Sequence, residues 1–182
     1  MPRSISNPQL TLRPQDLLVL LRLALPSKAS FSYASIALEL GLTASETHAV
    51  VERAIAAQLA FKNVKNKPVV IQEALKLFVV HGARYCFPAM RGEMMRGVPT
   101  GHSAAPIKDL VIAAPNEPAL VWPHKKGTVR GMALFPLYPS VPEAALRNPA
   151  LYEVLVLFDA IRAGSPRERA LAIPLLEERL KQ

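Results

Sequence analysis

The chain has 182 residues, 51% of them apolar and 20% charged, which fits a soluble folded protein with a core built as one large domain or two small ones. A formal net charge of +8 and a pI near 9.9 favour polyanionic partners held by a salt-sensitive contact, although many basic proteins bind no nucleic acid. The single cysteine, Cys86, excludes an internal disulfide; with no apolar stretch in MPRSISNPQ and no run of about 20 apolar residues, the expected setting is cytoplasmic, without secretion signal or membrane span.

Residues 1–10 read as a loose arm. Pro14 fits the first turn of a helix running to about Leu25, with Leu17, Leu18, Leu20, Leu21 and Leu25 spread over a wide face. Pro26-Ser27-Lys28 ends it. Phe31 is placed to staple the next helix and Ser32 to cap it. Ser32–Ala60 then reads as helix, tight turn, helix. Ile36, Ala37 and Leu40 share one face of the first helix, Gly41 breaks it, and Leu42 fills the corner. Thr43 or Ser45 caps the second helix, whose buried stripe is Val50, Val51, Ala54 and Ile55. Small residues at 37 and 41 let the two helices cross closely, which frees the second to enter a DNA major groove.

Ile36-Ala37-x-x-Leu40-Gly41-Leu42-Thr43, followed by Glu52-Arg53 and Gln58-Leu59, resembles the winged helix-turn-helix of MarR-type bacterial regulators over roughly residues 10–70. Thr47 stands where an aliphatic residue is usual in that family, and Gln58 where Gly tends to precede the first wing strand. The rest of the chain does not resemble the family's dimerisation helices. The resemblance implies a DNA-binding module. Such modules act as dimers because two half-sites double the contact and match a palindromic operator.

Residues 62–68, KNVKNKP, stand where a wing would be, with Lys62, Lys65 and Lys67 and two Asn suited to a turn. The segment is short enough for the wing to be only a loop. Val70–Val80 returns to helical spacing, and His81-Gly82 closes it with Gly as the C′ residue. Tyr85–Phe87, Val111–Ala113, Ala119–Trp122 and Val129–Leu134 are short strand candidates between Gly and Pro. Phe87-Pro88…Gly92…Arg96-Gly97 echoes Trp122-Pro123…Gly127…Arg130-Gly131, as chance would in a Pro- and Gly-rich stretch or as two related hairpins about a local pseudo-twofold would. Asn148 caps a helix that Pro149 starts and Gly164 stops, and Ser165-Pro166-Arg167-Glu168 opens a last one that Pro174 kinks or splits. The expected class is α+β: a winged helix-turn-helix over 10–68, a small α+β region over 69–147, and C-terminal helices over 148–182 used in dimerisation.

The expected DNA-contacting residues are Thr43, Ser45, Glu46, His48, Ala49 and Arg53 on the second helix, with Lys62, Lys65 and Lys67 on the wing. Ser45 and His48 suit bases or phosphates, and Arg53 suits a phosphate. Glu46 and Glu52 repel phosphate unless they meet cytosine amino groups or pair with Arg53. A solvated loop explains the wing lysines nearly as well, and Arg91, Arg96, Lys125, Lys126 and Arg130 read as solvated hairpin tips or a second anion surface. His48, His81, His102 and His124 have no spacing that builds a metal site, so no metal and no cofactor is expected. Cys86 reads as a buried strand residue, and Asp109, Glu117 and Glu143 form no obvious carboxylate pair. No phosphate loop or nucleophile motif supports an enzyme. The expected function is a sequence-specific, homodimeric transcriptional regulator of double-stranded DNA. The alternative is an antitoxin-like or defence-associated protein, with a partner encoded nearby, that uses the helix-turn-helix for autoregulation.

Overall fold

The computed structural model describes residues 10–26, 31–111 and 117–180, and is mixed α+β with small sheets. The expectations for residues 1–9, for Ser27-Lys28 and for a strand reaching Ala113 lie outside the described residues.

Helix α1 (Pro14–Ala24) starts at its proline. Asp16 in its first turn accepts the Arg13 backbone N–H at 2.9 Å, where a carboxylate also meets the positive end of the helix dipole. Leu17 to Leu21 are all at most 1% exposed, so the wide apolar face is enclosed on every side. Helix α2 (Tyr33–Leu40) begins at Ser32 and ends at Gly41, whose φ of 67° lies in the left-handed region. The Leu42 N–H closes this end on the Ala37 carbonyl at 2.8 Å. Helix α3 (Ala44–Ala56) is capped by Thr43, not Ser45. Thr47 is fully buried where an apolar residue would be usual, because its hydroxyl donates to the Thr43 carbonyl at 3.0 Å. Gln58 follows α3 at φ 59°, with Leu59 N–H bonded to Ala54 O at 2.9 Å, so it occupies a position that glycine adopts without strain.

The lysine-rich segment is a hairpin and not a bare loop. Strands β1 (Ala60–Lys62) and β2 (Pro68–Val70) pair antiparallel, with Phe61 opposite Val69. The Asn63 side chain shapes the turn by accepting the N–H groups of Lys65 and Lys67 at 2.9 and 3.0 Å.

Residues 72–86 form one helical segment: α4 (Gln72–Leu77), a π turn (Phe78–Gly82) and α5 (Ala83–Cys86). Gly82 therefore does not end the helix, and Tyr85–Phe87 is not a strand; Tyr85 and Cys86 are exposed on α5. The cause is a stripe at spacing four, Leu75, Val79, Ala83 and Phe87, which is buried only if the helix runs on.

Strand β3 (Arg91–Pro99) is antiparallel to both β4 (Leu120–Pro123) and β5 (Val129–Leu134), which run parallel to each other and close a small barrel. The echoed motifs are thus not two hairpins: one lies along β3, the other spans β4, a turn and β5. Their glycines have a shared physical reason. Gly97 pairs with both Pro123 and Val129, and a Cβ on it would stand 2.1 Å from the Trp122 carbonyl oxygen. A Cβ on Gly127 would stand 2.2 Å from the Gly97 carbonyl carbon, so a barrel this tight closes only with backbones in contact there.

Helix α6 (Val141–Arg147) leads into α7 (Pro149–Ala163), where the Asn148 side chain caps Leu151 N–H at 3.0 Å. Helix α8 (Pro166–Leu180) runs through Pro174 as one helix, so that proline does not split it. Eight apolar residues of α7, from Leu151 to Ile161, are at most 1% exposed. Helices α1, α5, α6 and α8 of the same chain cover them, so α7 needs no second subunit to be buried. One hydrophobic cluster runs from Leu17 to Leu180.

At the centre, Asp159 of α7 is 1% exposed. Its Oδ2 accepts from Trp122 Nε1 at 2.6 Å and Thr100 Oγ1 at 2.8 Å, and its Oδ1 from Arg162 Nε at 2.7 Å. Arg162 also donates to the Phe135 carbonyl at 2.8 Å. Asp159→Ala should cost about 3–5 kcal/mol of unfolding free energy in denaturant titration, because it leaves a buried guanidinium and two donors unpaired. A loss below about 1 kcal/mol would show that water replaces the carboxylate freely. Gly41→Val should cost about 1–3 kcal/mol, since a β-branched residue resists positive φ, and a Cβ there would also sit 3.1 Å from the Ser140 Cβ. A melting temperature equal to wild type would contradict this.

Candidate nucleic-acid interface

The exposed side of α3 starts at its cap. Thr43 Oγ1 accepts the Glu46 N–H at 3.1 Å, while Glu46 Oε2 accepts the Thr43 N–H and hydroxyl, each at 2.8 Å. The Thr43 backbone hydrogen bond, with the hydroxyl second, holds the Glu46 pKa below its ordinary value. Both side chains are thereby committed to starting the helix. Ser45 and His48 are exposed and aim away from the core, while Ala49 is half-buried. The His48 ring lies 5.2 Å from that of Tyr33.

Arg53 does not point outward. Its Nε and terminal nitrogen donate to the two Asp16 oxygens at 2.8 and 2.6 Å, with side chains 13% and 0% exposed. This forked pair bolts α3 to α1. The Asp16 hydrogen bonds raise the Arg53 pKa, and Arg53 is not presented to a phosphate in this arrangement.

Glu52 is partnered by the hairpin and not by Arg53. Lys62 Nζ lies 2.6 Å from Glu52 Oε1, and His48 Nε2 lies 3.8 Å from the same oxygen. The Glu52 carboxylate is thus neutralised, and the Lys62 charge is engaged locally. Lys65 sits exposed in the hairpin turn and Lys67 half-buried beside it. Of the nine expected contact residues, Ser45, His48 and Lys65 are exposed, Lys67 and Ala49 are half-buried, and His48 also leans on Tyr33 and Glu52.

The other basic residues are mixed. Arg96 Nε donates to the Gly127 carbonyl at 2.7 Å, Arg91 to the Ala163 carbonyl at 3.2 Å, and Lys126 Nζ to Glu143 at 3.0 Å, so three of the tips brace the fold. Lys125 and Arg130 are exposed. The four histidines do not converge. His102 instead lies beside two carboxylates distant in sequence, Glu117 and Glu168, with one donor atom from each of the three within 4.8 Å of the others. Sequence spacing carried no sign of that group, because three separate elements supply it.

No helix among the described residues is long and apolar enough to cross a membrane. No family model, no curated protein and no solved structure matches the chain.

The Lys62 hydrogen bond, with smaller contributions from the Lys62 and His48 charges, holds the Glu52 pKa below its ordinary 4.5. A depressed carboxylate keeps its interaction above that ordinary value and loses it as pH falls through the lowered one. Lys62→Gln should therefore shift the Glu52 midpoint upward in an NMR titration. An unmoved midpoint would mean that α3 and the hairpin are not coupled there.

Proposed function

We propose that this chain is a sequence-specific DNA-binding transcriptional regulator, and that residues 10–70 form a winged helix-turn-helix of the MarR-like kind. The observation that carries the reading is the α3–hairpin unit: both acidic residues of α3 have local partners, while Ser45 and His48 on α3 and Lys65 in the hairpin turn are exposed. In this reading α3 enters the major groove. Ser45 and His48 reach base edges, and Ala49 offers a methyl surface to a thymine. Thr43 and Glu46 set where the helix starts. Arg53 and Lys62 position the helix and hairpin, and Lys65 and Lys67 contact phosphates. A homodimer places two such helices about 34 Å apart, one DNA turn. Because α1 and α7 are buried within the chain, its dimer surface lies elsewhere.

A second reading, a protein-binding partner, is favoured by Met90 and Phe135, which are 61% and 52% exposed and line one cavity.

A gel shift on the DNA upstream of the coding sequence, at fixed salt and with and without the proteins encoded next door, separates the two readings. The Ser45→Ala, His48→Ala double variant changes only exposed residues and should lower specific affinity by about 10-fold or more, the range for lost base contacts. Lys65→Gln with Lys67→Gln should weaken specific and non-specific DNA alike. It should also flatten the salt dependence by up to about 0.9 log unit per contact. Unchanged operator affinity in the folded Ser45/His48 variant rejects the DNA-reading role of α3.

A further inference from the structure

Two hollows of about 240 and 450 Å³ lie side by side, with Pro88 and Arg162 lining both. The smaller is walled by Phe87, Met90, Phe135 and Leu137. The larger is bounded by Arg84 and Tyr85 of α5 and by Arg91 at the start of β3. Tyr85, Met90 and Phe135 are 76%, 61% and 52% exposed. Single exposed apolar residues need no explanation, but large ones gathered around hollows mark an interaction surface.

The apolar wall is held in place by its backbone. Phe135 N–H donates to the Met90 carbonyl at 2.9 Å, and the Phe135 carbonyl accepts from Arg162 at 2.8 Å. The Phe135 ring stands over Gly92, where a Cβ would come within 3.3 Å of it. Met90 and Phe135 thus present a thioether and a ring from chain that is already ordered, which lowers the entropy an occupant must overcome. The charges differ in kind. That of Arg162 is balanced by Asp159. Arg84 lies over the Tyr85 ring at 5.2 Å, and Arg91 donates to the Ala163 carbonyl at 3.2 Å. Neither has a carboxylate partner among the described residues, and no acidic residue lines either hollow. Two guanidinium groups with N–H donors to spare therefore flank the wall.

We infer that these hollows dock an acidic segment of a partner protein, with an apolar side chain seated against Met90 and Phe135 and neighbouring carboxylates on Arg84 and Arg91. This gives a place and a chemistry to the second reading above, a protein-binding role, and rests on it. Charge decides the occupant. Guanidinium groups take carboxylates in forked pairs, while the Met90 and Phe135 side chains carry no hydrogen-bond donor and suit an apolar group better than a phosphate. Residues 1–9 of the chain itself carry Arg3 and no acidic residue, so their charge does not match the site. The net charge of +8 speeds the encounter with an acidic partner. No residue of α3 or of the β1–β2 hairpin lines the hollows, so docking and DNA binding use different surfaces.

The probe is a fluorescein-labelled Glu-Asp-Phe-Leu-Asp-Glu peptide, its affinity for the full chain read by fluorescence anisotropy. Saturable binding is expected, weakening as salt rises because the charges are at the surface. The peptides Gln-Asn-Phe-Leu-Asn-Gln and Glu-Asp-Ala-Ala-Asp-Glu should each bind at least about 10-fold more weakly. Arg84→Gln with Arg91→Gln should reproduce the first loss, and Met90→Ala with Phe135→Ala the second. Arg84→Gln alone keeps the Arg91 brace on Ala163 and should still weaken binding, which covers a double variant that fails to fold. The Ser45→Ala, His48→Ala variant should bind the peptide as wild type does. Equal affinity for the amide peptide overturns the acidic chemistry and leaves a protein-binding role standing. Absence of saturable binding, or affinity unchanged in the folded Arg84 and Met90/Phe135 variants, overturns the site itself. Displacement by an oligothymidylate as effective as by unlabelled peptide makes it a general polyanion surface and also overturns the proposal. Self-association that Arg84→Gln abolishes, without peptide binding, gives the site to a second copy of the chain and does the same. None of these results bears on the Ser45/His48 gel shift, so the DNA reading and this one fail separately.

Discussion

A buried carboxylate on α7 decides how the halves of this molecule meet. Asp159 has no access to water, so its charge is tolerable only with a full set of donors, and the donors come from different elements. Trp122 comes from β4, Thr100 from the end of β3, and Arg162 from one turn further along α7. Arg162 in turn holds the Phe135 carbonyl just past β5. The barrel can therefore sit against α7 in one orientation only, because sliding by a residue would strand a charge. Apolar packing supplies the driving force, and this network supplies the register.

The N-terminal helices are attached by the same device. Asp16, fully buried in α1, takes both arms of Arg53 and so fixes the angle of α3. Glu39 of α2 accepts from Arg22 of α1 at 2.6 Å and from the Asn148 amide at 2.7 Å, which ties the first helices to the start of α7. Ser140, ahead of α6, donates to the Leu40 carbonyl. The surface that α3 presents is consequently a by-product of internal pairing. Its strongest cation is turned inward, and its acids are occupied by a cap and by Lys62.

Much of the helical framework was legible in the residues. Pro14, Thr43, Asn148-Pro149, Gly41 and Gly164 mark helix ends through local chemistry, and the structure has ends at each of them. Beta strands were less legible. Ala119–Trp122 and Val129–Leu134 correspond to β4 and β5, but Tyr85–Phe87 went into a helix. An apolar triplet has no period of its own, and the stripe from Leu75 to Phe87 decided its state. The hairpin of KNVKNKP closes through Asn63 folding back over two amides; its two Asn marked a turn in the sequence, but the pairing of the short strands on either side was not legible there.

What the sequence by itself determined is therefore local: where helices start and stop, which faces are apolar, the excess of positive charge, and the helix–turn–helix spacing from Ile36 to Thr43. Those features depend on neighbours within a turn or two, and one-dimensional order preserves them. Only the tertiary structure decided what each charge is for. Arg53 and Asp16, Lys62 and Glu52, and Asp159 and Trp122 are all partners separated along the chain by several helical turns or by whole elements. Electrostatic and hydrogen-bond energies depend on separation in space, with sharp cut-offs near 3 Å, so their pairings appear only once the backbone has been placed.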